Sequence, residues 1–250
     1  MTLRDIAHSL FAEAIATQSP SSIVYESSKK YDTYFDDATR IFPVAVGKAS
    51  VEMMSGLLDY LNENYPSKIY KKPIVVSNPQ EMISTHDFTH IVSSHPTPDD
   101  SSLYASRVVL DYIYQSCESD LAIFLISGGG SSLLSLPADG ISLDDKIKLT
   151  QLLLASGCNI NDINTVRKHV SKIKGGRLNS AALPSRSISL LISDVINDDL
   201  SSIASGPTVA DETTFHDAIN VLNKYNIFEK SPESIQNHLK KGVDNSAMET

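Results

Sequence analysis

The stretch Leu121-Ala122-Ile123-Phe124-Leu125-Ile126-Ser127-Gly128-Gly129-Gly130-Ser131-Ser132 decides the fold of this chain. Its first six residues are apolar, which predicts a short strand that is buried on both faces and runs directly into three glycines. Consecutive glycines let a backbone approach a ligand closely, and the two serines add hydroxyl donors at the start of the next helix. This order favours an anion site, suited to a phosphate group of a nucleotide, over a tight turn that binds nothing.

Short apolar runs like this one recur along the chain and alternate with helical patterns. The runs lie at residues 42–46, 74–76, 90–92 and 188–192, and the helical patterns at 50–61, 102–116, 144–156, 164–174 and 214–225. This alternation is typical of an α/β protein with a Rossmann-like, mostly parallel sheet and helices on both faces. An amphipathic helix is predicted at residues 1–16, and the polar residues 18–40 predict an edge strand or a loop.

The composition argues against several classes of protein. The 250 residues carry a formal net charge of -9, which argues against a nucleic-acid partner because phosphate backbones are held by clustered Lys and Arg. Cys117 and Cys158 lie far apart and belong to no metal-binding cluster, which predicts reduced thiols in a cytoplasmic protein. No apolar run is long enough to cross a bilayer, so no membrane partner is expected.

Three predicted strands end in polar turns, which should meet in one crevice because open parallel sheets bind ligands at the carboxyl ends of their strands. The first turn contains Lys48 and is not a P-loop. Phe42 stands where that motif needs a glycine, and Ala49 stands where it needs a hydroxyl. Two interpretations of Lys48 stay open, an ammonium that reaches into the crevice or a solvated surface lysine.

The second of these turns is the glycine turn, and the third contains Asp194. A carboxylate at a strand end near a phosphate site can hold Mg²⁺ or accept a hydroxyl proton. The alternative is an aspartate that caps a helix or is solvated in a loop, and this alternative is favoured for Asp198 and Asp199. Beyond them, the turn at residues 204–208 either faces a ligand or is an ordinary loop.

One predicted helix and its flank are basic in an otherwise acidic chain, and they carry Arg167, Lys168, Lys172, Lys174 and Arg177. Such a run is usually a solvated face. Lys174 and Arg177, however, flank Gly175-Gly176, where the backbone could come close to an anionic substrate. His95 and His169 are either general bases or ordinary hydrogen-bonded residues.

Seven motifs occur here in the order seen in one family: Val44-Ala45-Val46-Gly47-Lys48-Ala49, His95-Pro96-Thr97-Pro98-Asp99, Ile126-Ser127-Gly128-Gly129-Gly130-Ser131-Ser132, Asn164-Thr165-Val166-Arg167-Lys168-His169, Ile173-Lys174-Gly175-Gly176-Arg177-Leu178, Ser193-Asp194-Val195 and Ala204-Ser205-Gly206-Pro207-Thr208. The sequence resembles the amino-terminal domain of the glycerate 2-kinases, the type II glycerate kinases once named hydroxypyruvate reductases. The resemblance extends over nearly the whole chain. Two departures stand out. Gly130 replaces a common alanine, and Ile196-Asn197 replaces the Pro-Gly pair that usually follows the aspartate motif.

The resemblance implies ATP- and Mg²⁺-dependent phosphorylation of D-glycerate to 2-phosphoglycerate. It also implies two lobes with the active site between them. We expect residues 1–230 to form the Rossmann-like lobe and residues 231–250 to be a polar connection toward a second domain that is absent from this chain. The family's lysine that matches Lys48 is regarded as an active-site residue. Whether the protein forms a homodimer is left open.

We therefore expect the following roles. ATP phosphates would be held by Gly128, Gly129, Gly130, Ser131 and Ser132. Lys48 would stabilise charge on the transferred group, and Asp194 would bind Mg²⁺ or act as base toward the C2 hydroxyl. Substrate anions would be bound by Lys174, Arg177, Ser205 and Gly206.

Two other classes of protein are kept as alternatives. A phosphosugar-binding module would share the α/β fold and the glycine-serine turn, but it would not consume ATP. A hydroxypyruvate reductase would need a dinucleotide fingerprint, and the glycine turn lacks the GxGxxG spacing.

Overall fold

The computed structural model describes residues 2–79, 87–245 and 248–249. Its one sheet has five parallel strands: β1 Ile41–Val46, β2 Ile74–Ser77, β3 Thr89–Val92, β4 Leu121–Ile126 and β5 Arg186–Leu191. The strand order is β3-β2-β1-β4-β5, which is the order of a Rossmann-like sheet and confirms the predicted fold class. The order reverses between β1 and β4, so these two strands define the point at which such sheets bind ligands.

Helices flank the sheet on both faces. Their bounds are α1 Leu3–Thr17, α2 Pro20–Ser28, α3 Asp32–Asp37, α4 Ser50–Asn64, α5 Asp100–Ile113, α6 Gly130–Leu133, α7 Leu143–Ala155, α8 Ile160–His169, α9 Arg177–Ala182, α10 Phe215–Lys224 and α11 Glu233–Asp244. None of the helices within the described ranges is long and apolar enough to cross a bilayer.

The two central strands are buried along their whole length, because helices cover both faces of the sheet. Alternate residues of β1 enter different apolar layers: Phe42 and Val44 pack on the side of α5, whereas Ile41 and Ala45 pack on the side of α4. A third apolar cluster joins α7, α8, α10 and α11 beyond the sheet. This helical extension lies next to the carboxyl ends of the central strands and forms one wall of the cavity described below.

The prediction of an edge strand or a loop in residues 18–40 was wrong, because this segment contains α2 and α3. Ser19 caps α2 by accepting a hydrogen bond from the Ser22 amide, and Pro20 occupies the first helical turn, where it is well tolerated. The helix packs on α4 at Gly56, where a β-carbon would lie 2.0 Å from the Ser21 carbonyl oxygen.

Residues 231–250 are not the polar connection that we predicted, because they contain α11. Ile235 and Leu239 lie four residues apart on one face of this helix and are completely buried in the third apolar cluster. The helix predicted at 164–174 is also displaced. It begins at Ile160, where Asn159 caps it, and ends at His169. The other predicted helices are present, including α1, although its Leu3 and Phe11 side chains are exposed.

Candidate active site

Two turns meet at the point where the strand order reverses. One follows β1 and contains Gly47 and Lys48, and the other is the glycine turn that follows β4. The Lys48 amide donates a 2.9 Å hydrogen bond to the Gly128 carbonyl, and the Ala49 amide donates one of 3.0 Å to Ser127 Oγ. Gly47 has a φ of 126°, and a β-carbon there would lie 2.2 Å from Ser127 Oγ. The close approach of the two turns therefore requires a glycine at this position.

Side chains from three strand ends surround the glycine turn. A β-carbon on Gly128 would lie 2.2 Å from Asp194 Oδ2, and one on Gly129 would lie 3.2 Å from His95 Cδ2 and 3.4 Å from Lys48 Cγ. Lys48 follows β1, His95 follows β3 and Asp194 follows β5. The predicted meeting of Lys48 and Asp194 with the glycine turn is thus seen in the structure, whereas their chemical roles stay predictions.

The electrostatic environment of His95 is set by two neighbours. Partial burial lowers the pKa of its imidazole, and the nearby Lys48 ammonium lowers the pKa further. Near neutral pH the ring is therefore mostly uncharged and has a nitrogen that can accept a proton. Lys48 itself is exposed beside the turn.

The serines of the glycine turn are partly committed to holding its shape. Ser132 Oγ donates a 3.2 Å hydrogen bond to the Gly129 carbonyl. Ser131 Oγ lies 2.8 Å from Ser205 Oγ, which in turn donates to Asn164 Oδ1 over 3.0 Å. These contacts fix the first turn of α6 against the rest of the domain.

Ser205 and Gly206 lie behind the glycine turn rather than in front of it. Ser205 is completely buried, and the Gly206 carbonyl accepts a 2.8 Å hydrogen bond from the Gly176 amide. Neither residue lines the cavity beside the turn. Their predicted contact with substrate is therefore not supported by their position, and they act as a support for Ser131.

Lys174 is buried under the glycine turn. Its Nζ donates hydrogen bonds of 2.7 Å to the Ser131 carbonyl and 3.3 Å to the Leu134 carbonyl. Burial holds the pKa of Lys174 well below its usual value, and the nearby positive charges of Lys146 and Arg167 act in the same direction. Lys174 thus braces α6 through the Ser131 and Leu134 carbonyls.

Arg177 is not brought to the glycine turn, although it was predicted to bind substrate. Its guanidinium donates to the backbone carbonyls of Lys168, Lys174 and Met248, and it lines a separate cavity of about 860 Å³. The neighbouring Gly175 amide donates to the Ser205 carbonyl. This backbone therefore holds the 205–206 turn instead of facing a ligand, because its amides are already used.

A cavity of about 380 Å³ lies beside the glycine turn. Its polar lining comes from the turn and from the helical extension, and it includes Gly129, Ser131, Ser132, Lys146, Arg167 and Lys174. Lys146 was missed in the sequence analysis. A signal was present, because Lys146, Leu149 and Leu153 share the buried face of α7, and a lysine in such a stripe is unusual.

The basic residues near α8 differ in how their charges are balanced. Lys168 Nζ lies 3.3 Å from Asp211 Oδ1 in a buried ion pair, and Lys172 pairs with Asp139. Arg167 makes no hydrogen bond or ion pair within the part of the chain that the structure describes. Burial lowers the pKa of the Arg167 guanidinium, yet arginine keeps its charge at neutral pH. Positive charge without a protein counter-ion is therefore concentrated at the cavity.

Asp194 is the carboxylate that a metal ion at this turn would meet. Among the described residues there is no group of three or more His, Cys, Asp or Glu side chains that could hold a metal by themselves. Mg²⁺ commonly takes one or two protein carboxylates and completes its shell with phosphates and water. Asp194 fits that pattern. Asp199 instead accepts hydrogen bonds from Ser201 and Ser202, as expected for a loop aspartate.

The parallel sheet, the glycine turn at its reversal point and the nearby basic residues define an α/β protein with a basic crevice at the carboxyl ends of its strands. Residues 6–240 match the family described as "Domain of unknown function (DUF4147)", and the chain belongs to this family.

The chain is also similar to proteins named glycerate kinases. It is 38% identical to the glycerate 2-kinase of Pyrococcus horikoshii, over 100% of this chain and 57% of that protein. It is 38% identical to the D-glycerate 2-kinase of Thermotoga maritima, over 94% of this chain and 54% of that protein. A crystal structure of glycerate kinase from Thermotoga maritima matches 95% of this chain and 55% of its own, with a TM-score of 0.85 and 38% identity. The resemblance to glycerate 2-kinases is confirmed, and the chain spans about half the length of these relatives.

Proposed function

We propose that this chain forms the nucleotide-binding lobe of an ATP-dependent glycerate 2-kinase. The observation that carries the proposal is the glycine turn between Lys48 and Asp194, at the point where the strand order reverses. The similar proteins named glycerate kinases support D-glycerate as the substrate and its C2 hydroxyl as the acceptor. The relatives are about twice as long as the matched region, which supports a second lobe as the other wall of the cleft.

Phosphoryl transfer depends mainly on positioning and on neutralising charge, and both are available at this turn. The glycine backbone would cradle the phosphates of ATP. Lys48 would place its ammonium against the transferred group, where negative charge is spread over three oxygens in the transition state. The bond between the C2 oxygen and the γ-phosphorus forms as the bond from that phosphorus to the bridging oxygen of ADP breaks.

The proton of the C2 hydroxyl needs an acceptor near the transferred group. His95 stands beside Gly129 and Lys48, and its lowered pKa keeps the imidazole ready to accept a proton at neutral pH. We therefore assign His95 as the acceptor of the C2 hydroxyl proton and Asp194 as the ligand of Mg²⁺. Mg²⁺ held by the Asp194 carboxylate would neutralise negative charge on the phosphates of ATP.

A coupled assay tests this function on the chain alone and on a protein that carries both lobes. With ATP, Mg²⁺ and D-glycerate, the two-lobed protein should consume ATP, and ³¹P NMR of the product should show the phosphate on the C2 oxygen. Oxidation of NADH with hydroxypyruvate and no use of ATP would contradict the proposal and favour a reductase. Binding of sugar phosphates without consumption of ATP would contradict it in favour of a binding module.

A further inference from the structure

Lys146 is a buried cation with almost no partner. Only 4% of the residue is exposed, and its Nζ makes a single long contact of 3.5 Å with the Leu136 carbonyl. No carboxylate pairs with it among the described residues. Burying an unpaired ammonium is costly, so this arrangement lowers the stability of the folded chain as long as no anion is bound beside Lys146.

Two more cations share the same cavity wall. Lys174 is 2% exposed and bonded only to backbone carbonyls, and Arg167 has no partner in the described ranges. The chain carries more acidic than basic residues, and nearby Lys168 and Lys172 both have carboxylate partners. The absence of a carboxylate at Lys146, Arg167 and Lys174 therefore marks this cavity as a place for an external anion.

The lining of the cavity indicates the kind of anion. Besides the cations it includes Ser131, Ser132 and Ser135, whose hydroxyls suit phosphate oxygens. It also includes apolar groups of Pro96 and Leu154. About 380 Å³ exceeds the need of a three-carbon acid and suits a ligand with an anionic and an apolar end.

The larger cavity of about 860 Å³ is a weaker candidate, although it is also lined by basic residues. Lys172 pairs with Asp139, His169 lies 3.2 Å from Glu249, and Arg177 is held by backbone carbonyls. His169, Lys172 and Arg177 are therefore already balanced or occupied by groups of the chain itself, and the remaining lysine of the lining, Lys241, is exposed rather than buried.

We propose that Lys146 and Arg167, with Lys174 behind them, form a subsite that binds a phosphoryl group of a nucleoside polyphosphate. The proposal rests on the proposed function for the identity of the ligand. The subsite itself rests on the unbalanced cations of the cavity. It extends the phosphate site from the glycine turn toward α7 and gives the nucleotide a second point of attachment.

The protonation of the subsite should respond to its ligand. Burial, helped by the nearby Arg167, lowers the pKa of Lys146 to about 7. The other ionisable groups lining the cavity are Arg167, Lys174 and His95, and none of them is an acid. Asp145 on the same helix instead accepts a hydrogen bond from Ser234. A bound phosphate would favour the charged ammonium, so binding should take up protons near neutral pH.

Binding to the 250-residue chain tests the subsite without any catalysis. Tripolyphosphate and ADP should bind, as measured by calorimetry, and Lys146→Met and Arg167→Met should each weaken tripolyphosphate binding by about tenfold or more. Lys148→Met is the matched control, because Lys148 lies on the same helix, has the same charge and is exposed. The affinity of Lys148→Met for tripolyphosphate should stay within about twofold of that of the parent chain. Lys146→Met should also raise the melting temperature without ligand, since it removes an unpaired buried charge.

Unchanged tripolyphosphate binding in Lys146→Met and Arg167→Met would overturn the subsite, as would an equal loss in Lys148→Met. If Lys146→Met does not fold, the half-buried Arg167→Met decides the matter. Binding of D-glycerate or 2-phosphoglycerate, but neither of tripolyphosphate nor of ADP, would overturn the nucleotide assignment. If the two-lobed protein consumes no ATP while tripolyphosphate binding still depends on Lys146, the kinase proposal fails and the anion subsite stands.

Discussion

Gly130 and Ala204 are packed so closely that a β-carbon on Gly130 would lie 2.8 Å from the β-carbon of Ala204. This contact joins the glycine turn to a loop with strained backbone, since Ala204 has a φ of 52° and Ser205 one of 62°. The lack of a side chain at Gly130 therefore allows the 204–206 loop to pack against the turn and support it.

Gly130→Ala should destabilise the chain by about 1–3 kcal/mol through overpacking, even though alanine normally favours a helix. Ala204→Gly removes the opposing methyl group and relieves the positive φ, so the double variant should recover most of the loss. Urea unfolding of the four proteins gives the interaction energy, which we expect to be about 1 kcal/mol or more. Simple additivity of the two changes would show that the contact does not constrain the turn.

Lys48→Ala in a protein with both lobes should lower kcat by roughly a hundredfold or more, because the transition state loses one electrostatic donor. The melting temperature should stay unchanged, since Lys48 is exposed. Lys30→Ala is the control and should keep full activity, because Lys30 is also exposed but lines neither of the two cavities. Near-normal turnover of Lys48→Ala would refute the role of this lysine.

Asp194→Asn should raise the Mg²⁺ concentration needed for half-maximal activity by about tenfold or more, because the metal loses its protein carboxylate. Asp198→Asn is a matched control on the same loop. Asp198 is exposed with a φ of 51°, a conformation that asparagine tolerates well. A metal requirement that is the same in Asp194→Asn and in the parent protein would remove Asp194 from the metal site.

The stability difference between Lys146→Met and the parent chain should depend on pH. Lys146 has a pKa of about 7 when folded and an ordinary pKa near 10.5 when unfolded, so the unfolded chain binds more protons between these values. The parent chain therefore gains stability from this group as the pH rises from about 7 to about 10. The advantage of Lys146→Met should be largest near pH 6 and should shrink as the pH rises.

Thermal or urea unfolding at several pH values measures this effect, with Lys148→Met as the control. The exposed Lys148 should give a difference that is flat over the same range. A stabilisation by Lys146→Met that does not change with pH would show that Lys146 is not held as an unpaired, titrating amine.

The sheet and the glycine turn were predictable because the decisive signals are local. Leu121–Ile126 shows its burial as an unbroken apolar run, and the glycines follow it directly. The role of Ser205 was not predictable, since only the fold reveals that its hydroxyl is buried against Asn164 and Ser131. Helix α11 was missed because its buried face consists of few apolar residues, chiefly Ile235 and Leu239.

The pairing of charges at the cavity could not be predicted from the sequence either. Arg167 and Lys168 are neighbours in the sequence and look equivalent there. In the fold Lys168 meets Asp211, whereas Arg167 faces the cavity with Lys146, which comes from another helix. Composition gives the amount of charge, but only tertiary structure decides which charges are balanced.

The proposed kinase site depends on the claim that the turn at Gly128, Gly129 and Gly130 binds nucleotide phosphates. The most direct measurement is NMR of the ¹⁵N-labelled chain during titration with ADP and Mg²⁺. The amide resonances of these three glycines should shift and saturate, while that of Gly140, which lines the larger cavity, should stay in place. Unmoved turn amides, with shifts confined to Gly140 and its surroundings, would contradict the claim.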